Sequence, residues 1–364
     1  MNILALNAGS SGLKWALFDG GLAEVGSGEI TGEGDRSASA IDAARAVADG
    51  PIGAVGHRVV HGGPRFRSSA MVEESTRREL ADLADLAPLH NPPALLALAA
   101  AEAALPGVPM VACFDTAFFA DLPRAATAYP VPYEWHDTWG IRKYGFHGLS
   151  HAYCAGRAAE MLGDPPGLRL VVCHLGGGCS ATAILGGRPI ETTMGYTPMD
   201  GLMMATRGGS IDPGVLLHML RRGELDAEEL DDALNHRSGL LGLSGVSADY
   251  RLVEAAAARH EDRSRLALEV YAHRLKMAIG GLSATLGGLD ALAFTAGVGE
   301  HSHGLRAEVC RSLGFLGVRL DPSRNEAAAA DVDVSAADAT ARVLVLHTCE
   351  ELVIAREVRR LIPS

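Results

Sequence analysis

Lysine is nearly missing from this chain of 364 residues: Lys14, Lys143 and Lys276 are its whole complement, and every other basic side chain is arginine. Basic residues number 32 against 44 acidic ones, a formal charge of −12, so the surface repels nucleic acid and anionic membranes and neither is expected as a partner. No Gly-Lys dipeptide and no GxxxxGK[ST] spacing occur, which excludes a P-loop nucleotide site. The six cysteines (Cys113, Cys154, Cys173, Cys179, Cys310 and Cys349) form no CxxC pair and lie mostly in apolar stretches, which points to reduced thiols. No long uninterrupted apolar run exists: 94–114 contains Glu102 and the Pro106–Pro109 turn, and 170–187 is broken by His174 and three successive glycines, so no transmembrane helix is expected. The chain begins in an apolar strand without a basic leader region, and the expected location is the cytoplasm.

What is present is a soluble, globular composition, 48% apolar and 21% charged. At roughly 150 residues per domain, the length predicts about two domains with a core each. The first nineteen residues read as strand, glycine turn, strand: Ile3–Leu6, Asn7–Gly12, Leu13–Phe18. Leu170–Cys173, His174–Cys179 and Ser180–Leu185 repeat that pattern 167 residues later, with Gly9 over Gly176, as an ancient duplication would. Leu268, Tyr271, Leu275, Ala278, Leu282 and Leu286 recur at helical steps over 264–287, and Leu352, Val353, Ile354, Val358 and Leu361 do so over 350–361. Short apolar runs at 108–113, 168–173, 291–296 and 342–347 alternate with such helices, which makes the chain α/β.

Several segments carry the residue types of phosphate chemistry. Small residues in the 7–14 turn let backbone N–H groups approach an anion, although an ordinary hairpin turn has the same look. Arg58, in an apolar strand end between His57 and His61, needs an anionic partner, either a structural ion pair or a ligand. The glycine- and proline-rich loop 192–213 surrounds Arg207, and long ordered loops commonly serve ligands. Two arginines suit the clamp that a transferring phosphoryl group demands. His147 and His151 stand four apart, but the neighbouring glycines and the lack of HExxH favour capping or hydrogen bonding over zinc. Asp115 follows an apolar strand, where a carboxylate reaches the sheet's carboxyl edge. Glu350 and Glu351 open the last helix, where helix-dipole complementarity suffices for one of them. The turn Thr295–His301 is a further strand-to-glycine junction.

Taken in order, Asn7–Ser11, His57–Gly63, Ala87–Pro92, Phe114–Phe118, Tyr144–Gly148, His174–Gly176, Met194–Pro198, Gly239–Val246, Phe294–Glu300 and Glu350–Leu352 resemble the acetokinase family over essentially the whole chain. The resemblance implies two actin-like (RNase H-type) α/β domains of the sugar kinase/Hsp70/actin superfamily around an interdomain ATP cleft. The first is expected at 1–117 plus 352–364 and the nucleotide-binding second at 118–351. It further implies a homodimer and a phosphotransferase with a carboxyl acceptor. The implied reaction is reversible, Mg²⁺-dependent transfer (Mn²⁺ as a substitute ion) of the ATP γ-phosphoryl group to acetate, giving acetyl phosphate and ADP by in-line displacement. Propionate or another short-chain acid is the alternative acceptor, and a non-catalytic actin-like nucleotide binder is the alternative class.

Carried over residue by residue, the resemblance makes Arg58 and Arg207 the pair on the carboxylate and the phosphoryl group, with His147 and Asp115 completing the catalytic set. Val60, Leu89, Phe146 and Pro198 wall the acyl pocket. Lys14 and the turn His174, Leu175, Gly176, Gly177 and Gly178 lie along the phosphates. Asp249, Tyr250 and Arg251, with Gly297, Val298, Gly299, Glu300 and His301, hold adenosine. Asn7 and Glu350 serve the metal. A short carboxylic acid with a pKa near ~4–5 is already ionised at pH 7, so no general base is required and Asp115 reads as an organiser of metal or water. Gly12, Gly177 and His301 depart from the family pattern, which has serine at the first position and asparagine at the other two; these departures bear on the choice of phosphoryl donor.

Overall fold

The computed structural model describes residues 1–9, 12–32, 36–83 and 91–363, and the statements below concern those residues. The two apolar runs on either side of the first glycine turn become β1 (Asn2–Ala8) and β2 (Gly12–Phe18), paired antiparallel. Further strands β3 (Glu24–Thr31), β4 (Ile52–Val59), β5 (Ala70–Met71) and β6 (Met110–Phe114) complete a six-stranded sheet of order β3-β2-β1-β4-β6-β5. β1, β4 and β6 run parallel, so their carboxyl ends line one edge. Successive residues of β1 face opposite ways. Leu4 and Leu6 pack with Ile41, Ala44 and Ala101 of the helices Arg36–Val47 and Asn91–Ala104, whereas Ile3 and Ala5 pack with Ile354, Ala355 and Val358 of the helix Glu350–Leu361. Both faces of the strand are therefore dry, and each such Leu or Ile contributes about 1.5–3 kcal/mol by burial.

The second sheet contains β7 (Arg169–Leu175), β8 (Cys179–Leu185), β9 (Arg188–Thr192), β10 (Ala291–Thr295), β11 (Val332–Asp333) and β12 (Arg342–Val345), in the order β11-β12-β10-β7-β8-β9. Numbered within itself, this is the strand order of the first sheet with the same sequence of parallel and antiparallel pairs. The repeat suspected from one hairpin thus extends to all six strands. β1 and β2 span the same residues as β7 and β8 at the 167-residue offset, but the pairing is shifted by one along the ladder: Ala8 pairs with Leu13, while Leu175 pairs with Cys179.

The helix expected over 264–287 runs Asp262–Thr285. Its period is as expected, but the buried stripe is rotated: Ala267, Tyr271, Leu275, Ile279 and Leu282 are buried, while Leu268 and Ala278 are only half-buried. The chain forms two compact units, Met1–Asp121 with Phe146–Tyr153 and Cys349–Ser364, and Leu122–Gly145 with Cys154–Thr348. Beyond the expected 1–117 and 352–364, the first unit takes in 118–121, 146–153 and 349–351, and the division falls inside the helix Gly148–Met161. All six cysteines are free, and among the described residues no helix is long and apolar enough to cross a membrane.

Candidate active site

In the first unit the parallel strands deliver Asn7, Arg58 and Asp115 to one sheet edge: Asn7 near the end of β1, Arg58 in β4, and Asp115 directly after β6. The Asp115 N–H donates to Val59 O at 3.1 Å, prolonging the ladder by one residue. Its carboxylate is fully buried, and Arg58 grips it through Nε (3.1 and 3.2 Å) and Nη2 (2.6 Å). Arg58 Nη1 donates to Asn7 Oδ1 at 3.2 Å, and Asn7 Nδ2 donates at 2.8 Å to both Glu350 and Glu351. Asn7 is therefore a bridge, its oxygen toward the cation and its nitrogen toward two carboxylates.

Three carboxylates, of Asp115, Glu350 and Glu351, act on the Arg58 guanidinium. Burial opposes the charged form of Arg58, but Asp115, Glu350 and Glu351 prevail and raise its pKa above the ordinary arginine value. Burial likewise pushes the Asp115 carboxyl up, against the pull of the Arg58 charge and hydrogen bonds, with Glu350 adding to the rise. The His147 backbone N–H also donates to that carboxylate. His147 has a left-handed backbone (φ 58°), and its carbonyl receives the His151 N–H at 2.9 Å, so it opens the helix Gly148–Met161. Gly148 is required there: a Cβ would stand 1.9 Å from Asp115 O.

Of the expected acyl-pocket walls, Val60 and Phe146 are buried in this unit, Phe146 edge-on to His61 at 5.3 Å. Leu89 lies outside the described residues. Lys14 sits opposite Asn7 in the β1–β2 register, exposed, with Glu29 across from it on β3.

The second unit holds the other expected residues. The turn Gly176–Gly178 is closed by Gly176 N–H to Gly178 O at 3.0 Å, and Ala205 N–H donates to Gly177 O at 3.1 Å, which fastens the long loop to it. That loop folds tightly on the helix Gly239–Ser244: a Cβ on Gly239 would meet Met204 O at 2.3 Å. Arg207, half-buried, donates to Pro198 O at 2.8 Å, and among the described residues no carboxylate lies within ion-pair distance of it. Burial lowers its pKa, with Cys179 opposing. A guanidinium so held stays charged and suits an anionic ligand.

His174 and Leu175 are buried at the end of β7. Asp249 caps the helix Tyr250–Ala258 and pairs with Arg251 at 2.6 Å, while Tyr250 is buried edge-on to Tyr271 at 5.5 Å. Gly297, Val298, Gly299, Glu300 and His301 form the short helix Ala296–His301 at the end of β10. One residue of the Arg58 network has no sequence signal that separates it from its neighbour: Glu351, which also accepts from Asn7, opens the last helix beside Glu350, where helix-dipole complementarity suffices for one of the two.

The Acetokinase family model matches residues 36–356. An acetate kinase of Trichormus variabilis is 53% identical over 307 residues, 84% of this chain and 76% of that protein. The chain belongs to the acetokinase family. Among solved structures, the acetate kinase of Porphyromonas gingivalis is similar with a TM-score of 0.89 at 33% identity, covering 99% of each chain. A propionate kinase from Francisella tularensis is similar with a TM-score of 0.90 at 32% identity, covering 99% of this chain and 100% of its own. The fold is therefore that of the acetokinase family, with two α/β units. Its departures from the family pattern have structural settings. A Cβ on Gly177 would meet nothing within 4 Å, one on Gly12 would meet Glu29 Oε1 at 2.9 Å, and His301 Nδ1 donates to Gly297 O at 2.9 Å.

Proposed function

We propose that this acetokinase-family chain transfers the ATP γ-phosphoryl group reversibly to acetate, giving acetyl phosphate and ADP. The observation that carries the reading is the Arg58 network: a cation held by Asp115 and Asn7 at the carboxyl edge of a parallel sheet. Acetate arrives ionised, its oxygen bonds to the γ-phosphorus, and the bond from that phosphorus to the bridging oxygen of ADP breaks. No proton has to move, so Asp115 has no base to be. Its ion pair fixes the guanidinium plane, and of five N–H groups on Arg58, those not given to Asp115 and Asn7 remain for an incoming anion. Arg207, with no carboxylate within ion-pair distance among the described residues, supplies positive charge to the phosphoryl group in flight. The roles proposed for the remaining residues are support of the same charge for His147, acyl-group recognition for Val60, Phe146, Pro198 and Leu89 (the last outside the described residues), and nucleotide binding for Lys14, the 174–178 and 297–301 turns and Asp249–Arg251.

The donor set fits magnesium, with manganese as a substitute: hard carboxylate oxygens of Glu350 and Glu351 meet on Asn7. Among the described residues no three acidic, histidine or cysteine side chains form a ready-made cage, so Glu350, with Asn7 beside it, would hold the ion together with nucleotide phosphates and water. When bound, the ion neutralises phosphate charge. The protein is proposed to work in the cytoplasm as a homodimer.

A panel of acetate, propionate and butyrate against ATP, GTP and pyrophosphate, read as hydroxamate formation with magnesium, tests the proposal. The expected result is the highest kcat/KM for acetate with ATP; absence of turnover with that pair overturns it. Higher kcat/KM for propionate favours the second reading, which the similarity to a propionate kinase supports. One methylene in an apolar pocket is worth about 1–3 kcal/mol, so the panel resolves the two.

A further inference from the structure

Arg306, in the helix His303–Arg311 of the second unit, is 1% exposed. A guanidinium taken out of water is ordinarily matched by a carboxylate, because its charge is costly to leave unanswered. Among the described residues no carboxylate lies within ion-pair distance of Arg306. Its partners are neutral: Nη1 donates to Gly299 O and Glu300 O, each at 2.8 Å, Nε to Asn325 Oδ1 at 2.7 Å, and Nη2 to Asn325 O at 2.8 Å. Burial lowers its pKa accordingly. A cation kept under these conditions is gathering backbone carbonyls rather than answering an acid.

Two of those carbonyls belong to the helix Ala296–His301. That helix has six residues, too few to sustain itself, and its first residue, Ala296, is a non-glycine held in the left-handed region at φ 63°. Its last carbonyls need an outside donor. Arg306 supplies it and ties the turn to the helix Pro322–Glu326, whose Asn325 in turn donates through Nδ2 to His303 O at 2.9 Å. Ser302, between the two helices, caps His303–Arg311 through Leu305 N–H at 3.2 Å.

We propose that Arg306 is a positioning residue for the nucleotide: its planar fork holds the 297–301 turn in the shape that receives the nucleoside. This rests on the reading that the turn holds adenosine. Arg306 is 1% exposed and donates to Gly299, Glu300 and Asn325, so its loss is expected to fall on nucleotide binding alone. The fork matters as well as the charge, because an ammonium cannot reach acceptors in three directions with a fixed plane.

The test is the affinity of Mg·ADP by calorimetry, which needs no turnover, together with KM and kcat for both substrates in Arg306→Met, Arg306→Lys and Asn325→Ala. The expected result is a weakening of Mg·ADP and a rise in ATP KM of tenfold or more for Arg306→Met and several-fold for the other two. Acetate KM and saturated kcat should stay within about threefold. Should Arg306→Met fail to fold, the milder two carry the measurement. Lowered melting temperatures with Mg·ADP affinity and ATP KM within twofold of the parent overturn the proposal and leave Arg306 a purely structural brace. If the parent binds Mg·ADP but turns over no acetate, the reaction assigned above fails, while the ADP affinities of the variants still decide the role of Arg306. A parent that does not bind Mg·ADP overturns both.

Discussion

Arg58 and Asp115 are each other's solvent substitute, which separates two effects that a single substitution mixes. Arg58→Ala leaves a fully buried carboxylate without its cation, and breaking a buried pair from one side costs about 3–5 kcal/mol. The expected outcome is a strong loss of stability in urea melts together with a fall in turnover of about 10²-fold or more, as for other charge-stabilising groups. Adding Asp115→Asn to that variant should recover much of the stability and none of the turnover. His57, the neighbour of Arg58 in β4, has a different electrostatic history. It is buried with Nδ1 unpartnered and Nε2 3.4 Å from Met110 Sδ, and burial lowers its pKa from 6.5 to about 4. The unfolded chain takes up that proton first as pH falls, so the stability is fully present above pH 6.5 and lost progressively toward pH 4, about 3 kcal/mol in all. Urea melts between pH 7 and pH 4 check this, and His57→Phe should flatten the dependence. The need of Arg58 for an anionic partner was legible in the apolar run around it. That the partner is Asp115, 57 residues away, was not, because ion pairing depends on which strands become neighbours.

At the scale of elements, local signals carried the hairpins and long helices. Glycine turns between apolar runs marked β1–β2 and β7–β8, and the helix Glu350–Leu361 starts and ends where its apolar period does. β3 escaped notice because it is a largely exposed edge strand, Glu24–Thr31, whose side chains do not alternate between apolar and polar; backbone pairing with β2 makes it a strand. The rotated stripe on Asp262–Thr285 has a related cause, since the buried face is set by what packs against it rather than by the most apolar residues available. The junction at Gly148 shows how finely an element must be placed. Gly148→Ala puts a methyl group into the carbonyl of Asp115, so the helix or Asp115 must move. The expected outcome is at least 1–3 kcal/mol of destabilisation and a roughly hundredfold drop in kcat, since angstrom-scale misplacement of a positioning group costs about that much; thermal melts and steady-state kinetics check both.

For the whole molecule, a hairpin repeat in sequence became a repeat of complete six-stranded sheets. The expected homodimer belongs to this scale. Ile211, Val215, Leu217 and Leu220 are exposed on and beside the helix Pro213–Arg222, which buries no side chain of its own. With a second copy as the proposed occupant of that surface, the parent should run as a dimer and Leu217→Glu with Leu220→Glu as a monomer in light scattering after gel filtration. An unchanged mass would move the contact elsewhere. The amino-acid order by itself determined the α/β class, the duplicated hairpins and the family, because turn chemistry and short motifs act over a few residues. Only the tertiary structure decided that Asn7 bridges Arg58 to Glu350 and Glu351, that Gly148 makes room for Asp115, and that Arg306 holds the 299–300 carbonyls. These are encounters between residues distant in the chain or oriented by packing, and their energies depend on burial and direction, which exist only once the sheets and helices have closed on their cores.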